Sequence, residues 1–180
     1  GALLIIDEIQ TGFGRTGRLF AIQHFDVTPD LLTCAKSLAG GVPMGAVLIG
    51  RHVQNLTPGV HGSTFGGNPL SCAAANASLD VILSEDLPRQ AEVKGAYLMD
   101  RLKRIQSPHI REVRGMGLMI GIEMKQKVAP YLKALQERRI IALNAGMTVI
   151  RLLPPLVITY EQIDHLVKNL TEVLTQEADD

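Results

Sequence analysis

The chain has 180 residues, 46% of them hydrophobic, enough for one sizeable core or for one domain and a piece of another. Eighteen basic and eighteen acidic residues cancel, which argues against the electrostatic footprint of a nucleic-acid or membrane-surface binder and favours a small, localised ligand. No uninterrupted apolar run approaches the ~18 residues of a membrane span, and the first residues lack a charged n-region and a cleavage site.

Gly1-Ala2-Leu3-Leu4-Ile5-Ile6 enters directly into a hydrophobic strand with no leading element. A run of Leu and Ile ending in an acid pair predicts a strand buried on both faces, which needs neighbours on both sides, so the chain reads as a fragment. Asp7 and Glu8 follow the run at once, and ligands of open α/β sheets gather at the C-terminal ends of strands. An acid pair alone is equally well a strand leaving the core for solvent. The loop that follows, Ile9 to Gly17, spaces glycines at 12, 14 and 17 and predicts a backbone that a ligand can approach closely.

Leu31 to Cys34 and Ala46 to Ile49 are further short apolar runs between Gly- and Pro-rich connections, the pattern of a central α/β sheet. Lys36 lies between the first of these and Ser37-Leu38-Ala39-Gly40-Gly41. A lysine there is more often a solvated loop residue; walled by apolar or cationic neighbours it becomes a nucleophilic amine. The nearby glycines do not form the G-x-x-x-x-G-K-[ST] loop of nucleotide triphosphatases. Cys34 and Cys72 sit in apolar or Ala-rich surroundings without metal-ligand spacing, as buried thiols in a reducing, cytoplasmic setting do. The five histidines show no i, i+4 pair, and no metal site is expected.

Gly62 to Pro69 combines hydroxyls, glycines and a helix start, the ingredients of an anion site, although an ordinary capped loop has the same composition. Asn68-Pro69 supplies an N-cap and a first-turn proline for an Ala-rich helix to about Leu83, read as a bridge between two domains, residues 1–83 and 84–180. Beyond Ser84 the pattern is that of a small α+β domain. Leu87, Ala91, Leu98, Leu102 and Ile105 share a helical face. Val113 to Met124 and Ile140 to Leu153 read as strands, with a short helix from Val128 to Arg138 between them. Thr159 and Gln162 stand at capping-box spacing before a stripe of Ile163, Leu166, Val167, Leu170, Val173 and Leu174. A polar tail, Gln176 to Asp180, is expected to fray.

Taken together, Leu4-Ile5-Ile6-Asp7-Glu8-Ile9-Gln10-Thr11-Gly12-Phe13-Gly14-Arg15-Thr16-Gly17 and Pro29-Asp30-Leu31-Leu32-Thr33-Cys34-Ala35-Lys36 resemble the signature of class III pyridoxal-phosphate aminotransferases. The resemblance continues through Gly62 to Pro69, Arg114 to Gly121 and Ile150 to Leu156, and within the class is strongest to the acetylornithine type and its relatives acting on carrier-bound aminoadipate semialdehyde. It implies an α/β fold: part of the large domain of the fold-type-I transferases (1–83) followed by the small C-terminal α+β domain (84–180). It also implies a pyridoxal 5'-phosphate cofactor, an amino donor with 2-oxoglutarate as acceptor, a homodimer, and an amino-group carrier protein as a candidate partner, with neither nucleic acid nor membrane involved.

By the same resemblance Lys36 carries the cofactor and then serves as base and acid, and Asp7 pairs with the ring nitrogen. Gln10 contacts the ring's 3-oxygen, Thr64 binds the cofactor phosphate across the dimer interface, and Ser63 lies near substrate. Arg151 grips a substrate carboxylate with its planar fork. The family's same-subunit phosphate loop, its ring-stacking aromatic and its substrate-arranging glutamate all precede the segment seen here. Ornithine or 4-aminobutyrate aminotransferases, and a non-catalytic fragment of the fold, are the alternatives left open.

Overall fold

The computed structural model describes residues 1–54, 57 and 59–175, and its backbone contacts divide the chain into two compact units, Gly1–Arg89 and Gln90–Asp180. The tail expected to fray lies outside the described residues.

The first unit is built on three strands, β1 (Ile5–Asp7), β2 (Leu31–Cys34) and β3 (Ala46–Ile49), in that order across the sheet. β1 and β2 run parallel with Asp7 opposite Thr33, and β3 returns antiparallel with Ala46 opposite Cys34. The expectation of a fully buried first strand is not met: Leu3, Leu4 and Ile5 are exposed, Ile5 at 59%. Their place explains it, because β1 is an edge strand in this sheet and has only β2 beside it.

The Ala-rich helix forms as predicted. α1 (Pro69–Ser84) is capped by the Asn68 side chain, which accepts from Ser71 N–H at 3.0 Å, and Pro69 takes the first turn, where a missing N–H costs nothing. Its small residues are not uniformly buried. Ser71, Ala75 and Ile82 form the inward face, while Ala73 and Ala77 face out. Ser71 and Ser78 hydroxyls donate to the carbonyls of Pro43 (3.3 Å) and Ser37 (3.2 Å), which fastens α1 to the segment carrying Lys36.

The second unit is a four-stranded antiparallel sheet, β4 (Ile110–Met116), β5 (Met119–Met124), β6 (Leu143–Ala145) and β7 (Val149–Leu152), ordered β4-β5-β7-β6. Three helices belong to it: α2 (Leu87–Lys103), which starts just before the unit boundary, α3 (Ala129–Glu137) and α4 (Tyr160–Thr175). Each long apolar stretch of sequence is a hairpin rather than one strand; the first breaks at Gly117, whose φ of 54° suits glycine.

Strand alternation sends Ile120, Ile122, Met124, Ile150 and Leu152 inward, where they meet Leu98 and Leu102 of α2, Leu135 of α3 and Ile163, Leu170 and Leu174 of α4, all essentially buried. The capping box at the start of α4 forms, with Thr159 N–H donating to Gln162 Oε1 (3.0 Å) and Gln162 N–H to Thr159 Oγ1 (3.3 Å). Across the same helices Tyr97 donates to Asp164 at 2.9 Å while Arg101 stacks on the Tyr97 ring, clasping α2 to α4.

Candidate active site

Asp7 is the last residue of β1, and its Oδ1 accepts from Ile9 N–H at 2.9 Å. That Asx-type contact turns the chain sharply off the sheet and leaves the other carboxylate oxygen without a protein partner among the described residues. Lys36 comes two residues after β2 ends at Cys34, at the same end of the sheet because the two strands are parallel. It is exposed, opens a 3-10 turn (Lys36–Ala39) and has φ of 47°, a left-handed conformation that a lysine adopts only at a cost of about 1–2 kcal/mol. Its amine makes no hydrogen bond or ion pair among the described residues.

Gln10, half-buried, follows in the turn after Asp7. The glycine loop beyond it is used differently from the expectation. Residues 12–14, 16 and 17 are buried, a Cβ at Gly12 would meet Glu8 O at 2.9 Å, and Phe13 packs edge-on against Phe20 with centroids 5.6 Å apart. Gly12 serves close packing within the loop, and His24 Nε2 is bonded to Thr16 O at 3.0 Å. Arg15 is largely enclosed here, and burial lowers its pKa.

Ser63 and Thr64 are exposed in the loop before α1. Ser63 Oγ accepts from Gly66 N–H (3.0 Å), and Asn68 Nδ2 donates to Phe65 O (2.9 Å), so the loop is preformed with the Thr64 hydroxyl unused. This loop faces Pro43, Met44 and Gly45 across a shallow cleft.

Arg151 lies in the second unit on the central strand β7, with Gly121 of β5 and Leu143 of β6 as its cross-strand partners. Its Nε is buried without a hydrogen-bond partner, an arrangement expensive enough to ask for a missing acceptor. It borders a hollow of about 520 Å³ also lined by Arg114, Met116, Gly121 and Val149. Arg114 is engaged by Glu112 and Glu123, the latter's carboxyl held below its usual range chiefly by the Arg114 hydrogen bond.

The structure therefore brings Asp7, Gln10 and Lys36 to one end of the first sheet, sets Ser63 and Thr64 in the preformed loop of the same unit, and holds Arg151 within the second. The residue that sequence reasoning undervalued is Glu8, which is 1% exposed. Its Oε1 accepts from Ile22 N–H at 2.7 Å and its Oε2 from the Thr11 hydroxyl. Period-two alternation was the available signal: of two consecutive strand-end acids, one must point to the core.

The aminotransferase class-III family matches residues 1–174. The chain belongs to the class III aminotransferases. Among its relatives, LysW-aminoadipate semialdehyde transaminase of Deinococcus radiodurans is 55% identical over 97% of this chain and 41% of its own length. Acetylornithine aminotransferase of Bacillus subtilis is 46% identical over 98% of this chain and 46% of its own. The ornithine aminotransferase of Toxoplasma gondii, whose solved structure has PLP at partial occupancy in the active site, superposes with a TM-score of 0.89 at 40% identity, covering 96% of this chain and 43% of that one. The chain thus spans less than half the length of these relatives. The expected α/β transferase fold holds.

Class III aminotransferases depend on pyridoxal phosphate, and the donor set fits that group. An uncommitted amine and a carboxylate with one oxygen unpaired among the described residues are groups that suit its aldehyde and ring nitrogen. Among the described residues no helix is long and apolar enough to cross a membrane.

Proposed function

We propose that the protein containing this chain is a pyridoxal-phosphate aminotransferase that moves an amino group from N-acetylornithine, or from a carrier-linked analogue of lysine synthesis, to 2-oxoglutarate. The observation that carries the reading is the exit of Asp7 and Lys36 from the same end of neighbouring parallel strands, in a chain matched by the family over residues 1–174. The names of the relatives at 55% and 46% identity support the substrate class.

Pyridoxal phosphate, when bound, supplies an electron-withdrawing ring that stabilises negative charge on the carbon bearing the amine. Lys36 Nζ holds the cofactor and afterwards takes and returns the proton of that carbon. The Asp7 carboxylate keeps a proton on the ring nitrogen by opposing its charge. Gln10 supplies an amide donor to the ring oxygen, and Thr64 a hydroxyl to the phosphate of the partner subunit's cofactor in a homodimer. Ser63 lies beside substrate. Arg151 offers paired N–H donors to a substrate carboxylate, which would satisfy its buried Nε. The setting is cytoplasmic, consistent with two free thiols, of which Cys34 is buried and has its pKa pushed up chiefly by that burial.

The test is amino-donor profiling of the full-length protein with 2-oxoglutarate as acceptor. The reading predicts highest kcat/KM with acetylornithine or a carrier-linked donor. A preference for free ornithine or 4-aminobutyrate would reassign it within the class, and no transfer from any of these would remove the activity.

A further inference from the structure

Glu8 is the one charged residue that is fully buried among the described residues, and none of the chemistry above uses it. Burying a carboxylate is costly unless hydrogen bonds replace its water, and an apolar residue of similar size would serve stability as well or better. The structure meets the cost with an organised bracket. Glu8 N–H donates to Thr33 O of β2 (2.9 Å), and Glu8 O accepts from Gly12 N–H (3.0 Å). Oε1 accepts from Ile22 N–H (2.7 Å), and Oε2 from the Thr11 hydroxyl. One residue thus joins the end of β1, the neighbouring strand, the turn of residues 9–12 and the short helix Ala21–His24.

Asp7 precedes Glu8, and Gln10 lies inside the turn that Glu8 closes at Thr11 and Gly12. Alternation points Asp7 outward on the face opposite to Glu8, so movement of the buried anchor would move both outward groups relative to Lys36 on β2. We propose that Glu8 is a positioning residue: it fixes Asp7 and Gln10 against β2 at the spacing the pyridine ring requires. The inference rests on the proposed function, because it assigns Asp7 and Gln10 to the ring.

Three variants of the full-length protein test it: Glu8→Gln, Glu8→Ala and Thr11→Val. Glutamine keeps one oxygen for Ile22 N–H and turns its amide towards the Thr11 oxygen, so pyridoxal-phosphate affinity and the visible absorbance of the bound cofactor should stay close to the parent's. Thr11→Val removes only the hydroxyl end of the bracket in a near-isosteric side chain, which guards against Glu8→Ala simply failing to fold. Thr11→Val, and Glu8→Ala where it folds, should weaken pyridoxal-phosphate affinity about tenfold, the scale seen when a residue orienting ligand groups is lost. They should also shift the absorbance band or its pH titration, and lower kcat more than they raise the donor KM. If Thr11→Val lowers the melting temperature while affinity, band and kcat stay unchanged, Glu8 is purely structural and the inference falls. A parent protein that shows no cofactor band overturns the functional reading and this inference with it; a normal parent band that no variant moves overturns the inference alone.

Discussion

Asp7 and Lys36 leave one end of two adjacent parallel strands, Asp7 standing opposite Thr33 in register and Lys36 following three positions later. The β1–β2 pairing is made by backbone groups, so a near-isosteric change of side chain at Asp7 leaves it in place.

Asp7→Asn exploits that. The amide keeps an oxygen for Ile9 N–H and the fold should survive, but it cannot balance a proton on the ring nitrogen. The expected result is normal cofactor content with kcat lowered at least about 10²-fold, the size of losing one preorganised electrostatic contact. Steady-state kinetics beside the absorbance spectrum measure it. Undiminished turnover would remove Asp7 from the mechanism.

Arg151→Lys keeps the charge and loses the paired donors. A loss of about 1.5–3 kcal/mol in kcat/KM, roughly 10- to 150-fold, is expected, dominated by weaker amino-acid binding. Single-turnover half-reactions with the donor alone check this. Normal conversion would make Arg151 a structural residue of β7.

Much of this arrangement is legible in the sequence. β2 and β3 fall on the apolar runs Leu31 to Cys34 and Ala46 to Ile49, and Asn68 and Thr159 cap α1 and α4 as their spacing predicts, because capping and strand propensity are local physics. The use of the Gly12–Gly17 loop was not legible. Glycine spacing reports that backbones approach closely, not whether the visitor is a ligand or, as at Gly12, the Glu8 carbonyl and the Phe20 ring. The burial of Glu8 beside exposed Asp7 depended on which face of β1 turns inward, and the exposure of Leu3 to Ile5 on which strands pair. Both are tertiary facts.

Gly95 of α2 tests the packing of the second unit. A Cβ there would sit 2.1 Å from Gly117 O and 2.4 Å from Gly117 C, backbone atoms of the β4–β5 turn that cannot swing aside. Gly95→Ala should cost about 3 kcal/mol, the upper range for overpacking, read as a lower denaturation midpoint. A variant as stable as the parent would mean that helix and turn separate freely.

Asp30 gives a pH signature. Leu4 N–H and His52 Nε2 both bond its carboxylate, and these bonds, the backbone one first, hold its pKa below the ordinary aspartate value. A depressed acid contributes stability above its unfolded pKa of about 3.9 and loses it as pH falls through the folded value. Asp30→Asn should therefore be less stable than the parent above about pH 5, and the margin should close as pH falls below about 4. Denaturation midpoints across pH 3–7 read this directly; a gap unchanged by pH would show that the carboxylate charge plays no part.

Lys36, in its left-handed turn after β2, is the residue proposed to carry pyridoxal phosphate. Borohydride reduction of the cofactor-loaded full-length protein, followed by peptide mapping, tests it in one step. A stable pyridoxyl label is expected on Lys36; a label confined to any other lysine would show that Lys36 does not carry the cofactor.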